Sequence, residues 1–269
     1  CDPNDDDDEE EEEEDEFGRE LNWSTGRNPD RVGVVHEPMD QGSCGSCWAI
    51  AATGTVEANV ARHSAYDAFE SYVRENVEGG ETTDVTDASG DDDRADAAIV
   101  ARNAESSALT AALLSVQELV DCDVEFDQGC TGGNPLLAFY FLHRYGLTSA
   151  GRYPYLGRQD KCHAKRVMHP VATVESWGVL TPNHEDNMAL VLRYIGPIAV
   201  GVNGADPSFL AYRGGVFDSP DCGQDANHAL LVVGYGEELI PIGDGDDAAD
   251  ADADDGVEGG RESVRYWIA

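Results

Sequence analysis

Thirty-three of the chain's 54 acidic residues sit in three tracts, 1–16, 67–105 and 244–258, which hold only three basic residues among them. Like charges set this densely cannot bury apolar area, so the tracts are expected to be solvated attachments, with 1–16 a disordered segment. A core must come from what remains, where 21 acids face 14 bases, the balance of an ordinary mildly acidic domain. With 269 residues, the chain can bury a substantial core in one or two domains. Its net charge of −37 argues against nucleic acid or an anionic membrane as partner. No apolar run approaches the roughly 18 residues that a membrane span needs.

Within the less charged region, Gln41-Gly42-Ser43-Cys44-Gly45-Ser46-Cys47-Trp48-Ala49-Ile50 joins a Gly- and Ser-punctuated loop to a helical pattern. Trp48, Ala52, Val56 and Val60 recur every four residues and line one apolar face. Cys47 is thereby expected at a helix N-terminus, where unpaired N–H groups and the macrodipole favour an anion. That setting makes a thiolate available as a nucleophile. Gln41, six residues earlier, can turn its amide toward a developing oxyanion. Taken alone, Cys44 and Cys47 also fit a C-x-x-C redox or metal pair.

C-G-S-C-W at Cys44–Trp48 resembles the nucleophile signature of papain and cathepsin L-type cysteine peptidases. The resemblance implies an α+β, papain-like two-domain fold, with a helical left domain, an antiparallel β right domain and the active-site cleft between them. It implies Cys47 as nucleophile and Gln41, with the Cys47 N–H, as oxyanion hole. Asn227-His228-Ala229, followed by an apolar run and Gly234-Tyr235-Gly236, is similar to the family's general-base strand, which makes His228 the acid/base. On spacing alone His228 also reads as a satisfied core histidine. The other histidines (His36, His63, His143, His163, His169 and His184) match nothing catalytic and are expected at the surface.

The resemblance begins at Leu21-Asn22-Trp23-Ser24, so the left domain is expected over 17–169 and the right domain over 170–269. Asn22-Trp23-Ser24 is also a formal glycosylation sequon, expected to be unoccupied. An acidic insertion at about 63–110 interrupts the pattern. Ala65 to Val77 and Arg94 to Leu114 read as helices flanking a polar loop from Glu78 to Asp93. The pattern resumes at Ser115–Cys122, similar to the family's short helix before its first disulfide loop. Gly129-Cys130-Thr131-Gly132-Gly133-Asn134-Pro135 then resembles the glycine segment that binds extended peptide by main-chain hydrogen bonds. Without a Cβ, Gly132 and Gly133 let a substrate backbone approach closely. By the same resemblance Asn134, Pro135, Gly201, Ala226, Asn227 and Ala229 bind substrate. The implied disulfides are Cys44–Cys130 and Cys122–Cys162, each worth a few kcal/mol by loop closure.

Leu136 to Tyr145 reads as a helix capped by Gly146. From Val171 the texture changes to β-like runs, Val171–Val174, Ile198–Val202 and Ala229–Val233. A second acidic insertion, about 237–265, reads as a solvated hairpin tip. Asp250, Asp252 and Asp254 alternate like calcium ligands, but Asp255 and Arg261 stand where an EF-hand needs Gly and Glu, so no metal and no cofactor is expected. Tyr266–Ala269 is expected to pair with 229–234.

In the family the histidine is oriented by an Asn within an Asn-Ser-Trp-Gly motif, which does not occur here. The chain also opens at Cys1 without an initiator Met, so it reads as a fragment, truncated before that motif and not a competent enzyme as written. Two functions of different class follow: a cysteine endopeptidase, or a non-catalytic homologue serving as an acidic binding or storage protein. The expected partners are polypeptide substrates, cystatin-like inhibitors or its own propeptide, with the chain a monomer. Seven cysteines imply an oxidising compartment, and the resemblance a lysosomal, vacuolar or extracellular one.

Overall fold

The computed structural model describes residues 19–73, 113–182, 184–220, 222–241 and 261–269. Its longest element is α1 (Cys47–Val73). Trp48, Ala52 and Val56 are buried on one face of it, with Val60 partly buried beside them, as the four-residue spacing requires. Between Thr55 and Glu78 there is neither Gly nor Pro, so nothing stops the helix. The separate helix expected from Ala65 is therefore the continuation of α1 as far as Val73.

Two hydrophobic clusters share α1 as a wall. The first gathers Trp48, Ala52 and Val56 with residues of α2 (Val116–Cys122) and α3 (Pro135–Tyr145). The second gathers Ala58 and Ala61 with Leu21, Trp23, Val32, Val34, Leu192, Val232 and Val233. A helix with apolar residues on two faces must be sandwiched, and small residues let the second layer come near. A Cβ on Gly54 would lie 3.0 Å from Leu231 Cδ2.

α2 carries its polar residues inward and satisfies each. Ser115 caps it, its Oγ accepting from Glu118 N (3.0 Å) and donating to Tyr153 O (2.7 Å). Gln117 Nε2 donates to Asp121 Oδ1 and to Arg158 O, both at 2.8 Å, and its Oε1 accepts from Leu156 N at 2.7 Å. Asp121 also accepts from Tyr153 OH and Asp160 N, both at 2.7 Å. The buried face of α2 thus holds the 148–162 segment in place, and Cys122–Cys162 closes it covalently. α3 begins at Pro135 with Asn134 as cap and ends at Gly146, whose N–H returns to Leu142 O at 2.9 Å.

The second half contains α4 (Ala164–Val167), α5 (Glu185–Tyr194) and α6 (Pro207–Ala211). It also contains β2 (Ile198–Val202) paired antiparallel with β3 (His228–Val232). A separate antiparallel sheet has the order β1 (Leu21–Asn22), β4 (Gly234–Pro241), β5 (Arg261–Ile268). Trp23 anchors the N-terminal segment by donating Nε1–H to Leu192 O at 2.7 Å.

Two strand expectations change. Val171–Val174 forms no strand: Ala172 makes a single bridge to Leu147, the residue just after the helix cap, and nothing extended lies opposite the rest. The terminal strand starts at Arg261 and pairs with β4, Tyr235 facing Trp267, while Val233 N–H reaches Ile268 O at 2.7 Å. The stem of the expected 237–265 hairpin is therefore β4–β5. Its tip, the 1–16 tract and most of the 63–110 insertion lie outside the described residues, and so does the Arg94–Leu114 helix save its last two residues. Leu114 bridges to Ser149. No helix among the described residues is long and apolar enough to cross a membrane.

Glu57 on α1 accepts Leu114 N at 2.6 Å, and Glu118 on α2 accepts Thr148 N at 2.8 Å. Burial pushes both carboxyls up to about 7, against the opposing pull of those backbone bonds. A carboxyl raised in the folded state keeps a proton that the unfolded chain releases. Stability therefore falls as pH climbs from about 4.5 to about 7 and is flat beyond. Glu57→Gln retains an acceptor and abolishes one such penalty. We expect it to raise unfolding free energy at pH 8 by on the order of 1–2 kcal/mol and to leave pH 4 unchanged. Urea unfolding at the two pH values checks this; a variant less stable at pH 8 would contradict it.

Candidate active site

Cys47 is the first residue of α1, and its thiol is free and half-buried. Ser46 carbonyl accepts the N–H groups of Ala49 and Ile50, both at 3.0 Å, so the helix ladder starts just behind it. The first N–H groups of a helix have no intrahelical acceptor, and that of Cys47 is one of them. Cys44 forms a disulfide with Cys130, which leaves Cys47 as the free member of the C-x-x-C pair. Gln41 is tied to the helix start through a phenol. Tyr155 OH donates to Gln41 O at 2.9 Å and lies 2.6 Å from Ser46 Oγ.

The glycine segment lies against the same helix. Trp48 donates Nε1–H to Gly129 O at 3.1 Å. A Cβ on Gly133 would fall 2.5 Å from Trp48 Cδ2 and 2.6 Å from Asp127 Oδ1, so no other residue fits. Gly133 and Asn134 are exposed on their outer side. Asn134 Oδ1 accepts from Leu136 N at 2.9 Å, while its own N–H donates to Asp127 Oδ1 at 2.7 Å. Pro135 follows as the first residue of α3.

The remaining predicted residues gather on β2 and β3. Val202 faces His228 and Gly201 faces Ala229 in register, and Ala226 Cβ lies 3.1 Å from where a Cβ on Gly201 would stand. Asn227 fixes the approach to the strand. Its N–H donates to Val202 O (3.0 Å), its Nδ2 to Asn203 Oδ1 (2.8 Å), and its Oδ1 accepts from Ala205 N (3.1 Å). His228 is half-buried.

The alignment of α1 with β3 relates the two groups. Gly54 lies against Leu231, and Ala58 and Ala61 further along share a hydrophobic cluster with Val232 and Val233, which orders the two elements in the same direction. Seven residues back along a helix is about 10.5 Å. Three residues back along a strand is about 10 Å. On that alignment Cys47 and His228 fall at the same end of their elements. Among the described residues no hydrogen bond joins the two, and no side chain hydrogen-bonds the His228 ring.

The sequence assigns no role to three residues of the site, although Tyr155 lies in Tyr153-Pro154-Tyr155, a run that resembles the family. Tyr155 links Gln41 to Ser46, Asp127 holds Asn134, and Gly204 backs His228, where a Cβ would lie 2.6 Å from His228 Cβ. Among the other histidines, His36 departs from the surface expectation. It is half-buried, burial lowers its pKa, and its buried Nε2 has no hydrogen-bond partner among the described residues. His63, His143, His163, His169 and His184 are exposed.

Known proteins are similar to this chain in sequence and fold. Caricain from Carica papaya is 30% identical over 225 residues, which is 83% of this chain and 51% of caricain. Cathepsin R from Mus musculus is 32% identical over 210 residues, 77% of this chain and 49% of that protein. The chain thus spans about half the length of these relatives. Among solved structures, procathepsin L2 from the larval midgut of Tenebrio molitor superposes with a TM-score of 0.56 at 27% identity, covering 84% of this chain and 56% of that one. The Carica candamarcensis cysteine protease CMS1MS2, in complex with E-64, gives 0.53 at 27% identity, covering 81% and 78%. The model of the papain family of cysteine proteases matches residues 20–74 and 95–269. By fold and sequence together, the chain belongs to the papain family of cysteine proteases.

Proposed function

We propose that the chain is a cysteine endopeptidase in which Cys47 thiolate attacks a peptide carbonyl carbon. His228 imidazolium then protonates the leaving amine, and water hydrolyses the thioester to release the acid and restore Cys47. The tetrahedral oxyanion is met by the Cys47 N–H and the Gln41 side chain, which share one loop. Gly132 and Gly133 receive the substrate as an extended strand. The reading is carried by one observation: a free thiol at the first residue of α1, with β3, which opens at His228, packed along the same helix. The partners that fit are polypeptides, a propeptide of its own and cystatin-like inhibitors. An oxidising lysosomal, vacuolar or extracellular setting suits the two disulfides.

Labelling tests the nucleophile. Full chain treated with E-64 or a peptidyl vinyl sulfone should be modified at Cys47 alone, and Cys47→Ser should abolish both labelling and hydrolysis. Cys222 is the other free thiol among the described residues; equal modification there would sink the assignment.

Specificity follows from the pocket for the second residue before the scissile bond, assigned to Asn134, Pro135, Gly201, Ala226 and Ala229. Small, uncharged walls leave room for an apolar side chain, so Leu, Val or Phe should be preferred. A substrate library with a clear preference for Arg at that position would refute the pocket.

The 269-residue chain by itself should also be slow. The family's histidine is oriented by an amide, and no described side chain bonds the His228 ring. Since positioned acid–base catalysis contributes roughly 10²–10⁴-fold, we expect turnover of a Leu- or Phe-containing fluorogenic peptide about a hundredfold below that of caricain assayed alongside. Equal turnover would mean that the orienting contact matters little here.

A further inference from the structure

Beneath the glycine segment lies a pair of carboxyls that the chemistry above does not use. Asp123 is fully buried and Asp127 is 6% exposed. They stand four residues apart on the connection between α2 and the 3₁₀ turn Gly129–Thr131. One oxygen of each is committed: Asp123 Oδ1 accepts Phe126 N at 3.2 Å, and Asp127 Oδ1 accepts Asn134 N at 2.7 Å. The other oxygen of each, Oδ2, is buried and has no hydrogen-bond partner among the described residues. Two ionised carboxylates in such a place would leave two acceptors unmet and two like charges adjacent. A single proton held between them removes both faults.

We propose that Asp127 is a positioning residue for the Gly132–Gly133–Asn134 main chain, effective while it shares one proton with Asp123, and that loss of this proton loosens the segment and weakens substrate binding. The substrate part rests on the peptidase reading above; the proton-sharing pair does not.

Geometry makes Asp123 the member that keeps the proton: it is the more deeply buried, and its backbone donor, Phe126 N at 3.2 Å, is farther than the Asn134 N that serves Asp127 at 2.7 Å. Burial first, then the charge of Asp127, push its carboxyl up to about 7, with Glu125 adding to the effect. Burial raises Asp127 too, but the Asn134 amide draws it back, which makes it the acceptor of the shared proton. Among the described residues no salt bridge or hydrogen bond brings a cation to the pair. α1 contributes Trp48, which is neutral. α3 contributes Asn134 and, through Phe126, the Tyr140 ring 6.2 Å away. Gln159 approaches the turn at Gly129 and is neutral. Asp121 on α2 spends its oxygens on Gln117, Tyr153 and Asp160. Arg144 on α3 pairs with exposed Glu125 at 3.7 Å.

Consequences follow from geometry. Above neutrality a base removes the proton from Asp123, the pair becomes a dianion, and repulsion drives the two carboxylates apart. Asp127 Oδ1 holds Asn134 N and also touches the space over Gly133, so its displacement is felt in the main chain that meets the substrate. The effect belongs in KM, because the reacting carbonyl is handled by Cys47 and His228.

The test uses the full chain and two readouts. Between about pH 6 and about pH 8, KM for a fluorogenic peptide should rise in wild type by roughly three- to tenfold, the worth of one net hydrogen bond, with kcat following its own profile. Asp123→Asn puts a permanent donor beside Asp127 and should make that rise disappear. Asp127→Asn should behave likewise, whereas Asp127→Ala should raise KM roughly tenfold at every pH. Independently, the Asn134 amide ¹⁵N–¹H resonance should titrate in Cys47→Ser chain near pH 7 and not in Cys47→Ser/Asp123→Asn. An Asn134 resonance that titrates equally with and without Asp123→Asn overturns the pair. A peptidase whose KM follows one pH profile in wild type and Asp123→Asn overturns the positioning role while leaving the peptidase reading intact. No hydrolysis by any of these chains, with the resonance titrating as expected, overturns the substrate part and the peptidase reading but not the pair.

Discussion

The structure depends on α1 being buried from two sides. One face of the helix is large and aliphatic-aromatic, with Trp48 and Val56 set against α2 and α3. The other is made small by Gly54, Ala58 and Ala61, and β3 can lie close against it. If those three were larger, the second cluster would be pushed outward and His228 with it. Because interiors are packed near the density of organic crystals, a methyl at Gly54 must be absorbed by Leu231 or by the strand itself. The position of one end of a helix relative to one end of a strand is in this way set by side chains two turns away.

A second level of organisation is polar. Gln117, Glu118 and Asp121 are buried on α2 and satisfied by backbone groups of the 148–162 segment, which has little regular structure of its own. A segment without a ladder must find partners for its N–H groups elsewhere. Here the side chains of a neighbouring helix supply them. Tyr155, carried on this segment, reaches across to Gln41 and Ser46, so the loop before Cys47 inherits the order imposed by α2.

Much of this was legible in the chain because it depends on local pattern. The start of α1 follows from Gly and Ser giving way to a four-residue apolar period, and β2 coincides with the apolar run Ile198–Val202. Gly146 caps α3 as its position suggests. What pattern could not reveal depends on what lies opposite. Val171–Val174 has strand-forming residues but only Leu147 to pair with. Tyr266–Ile268 was legible as a strand, yet its partner is β4, which an acid-rich sequence had disguised as loop. Asp127 and Asp123 read as two more acids in an acidic chain, and nothing but burial sets them apart.

The two cysteines of the C-x-x-C stretch end in opposite oxidation states, Cys44 in a disulfide and Cys47 a free thiol three residues on. Any reductant that maintains the second threatens the first. Thiol–disulfide exchange needs an attacking sulfur to reach the bond, so access decides the outcome. Cys44 is 1% exposed beneath the helix start and its partner Cys130 is half-buried, whereas in the other bridge Cys122 is half-buried and Cys162 is open to solvent. Mild thiols can therefore keep Cys47 in its reduced form while sparing the bridge beside it. The vulnerable crosslink is the remote one, Cys122–Cys162, which closes the segment carrying Tyr155. Redox history of the surroundings would then reach the reactive end of α1 through the floor of its loop before it touched the sulfur that does the chemistry.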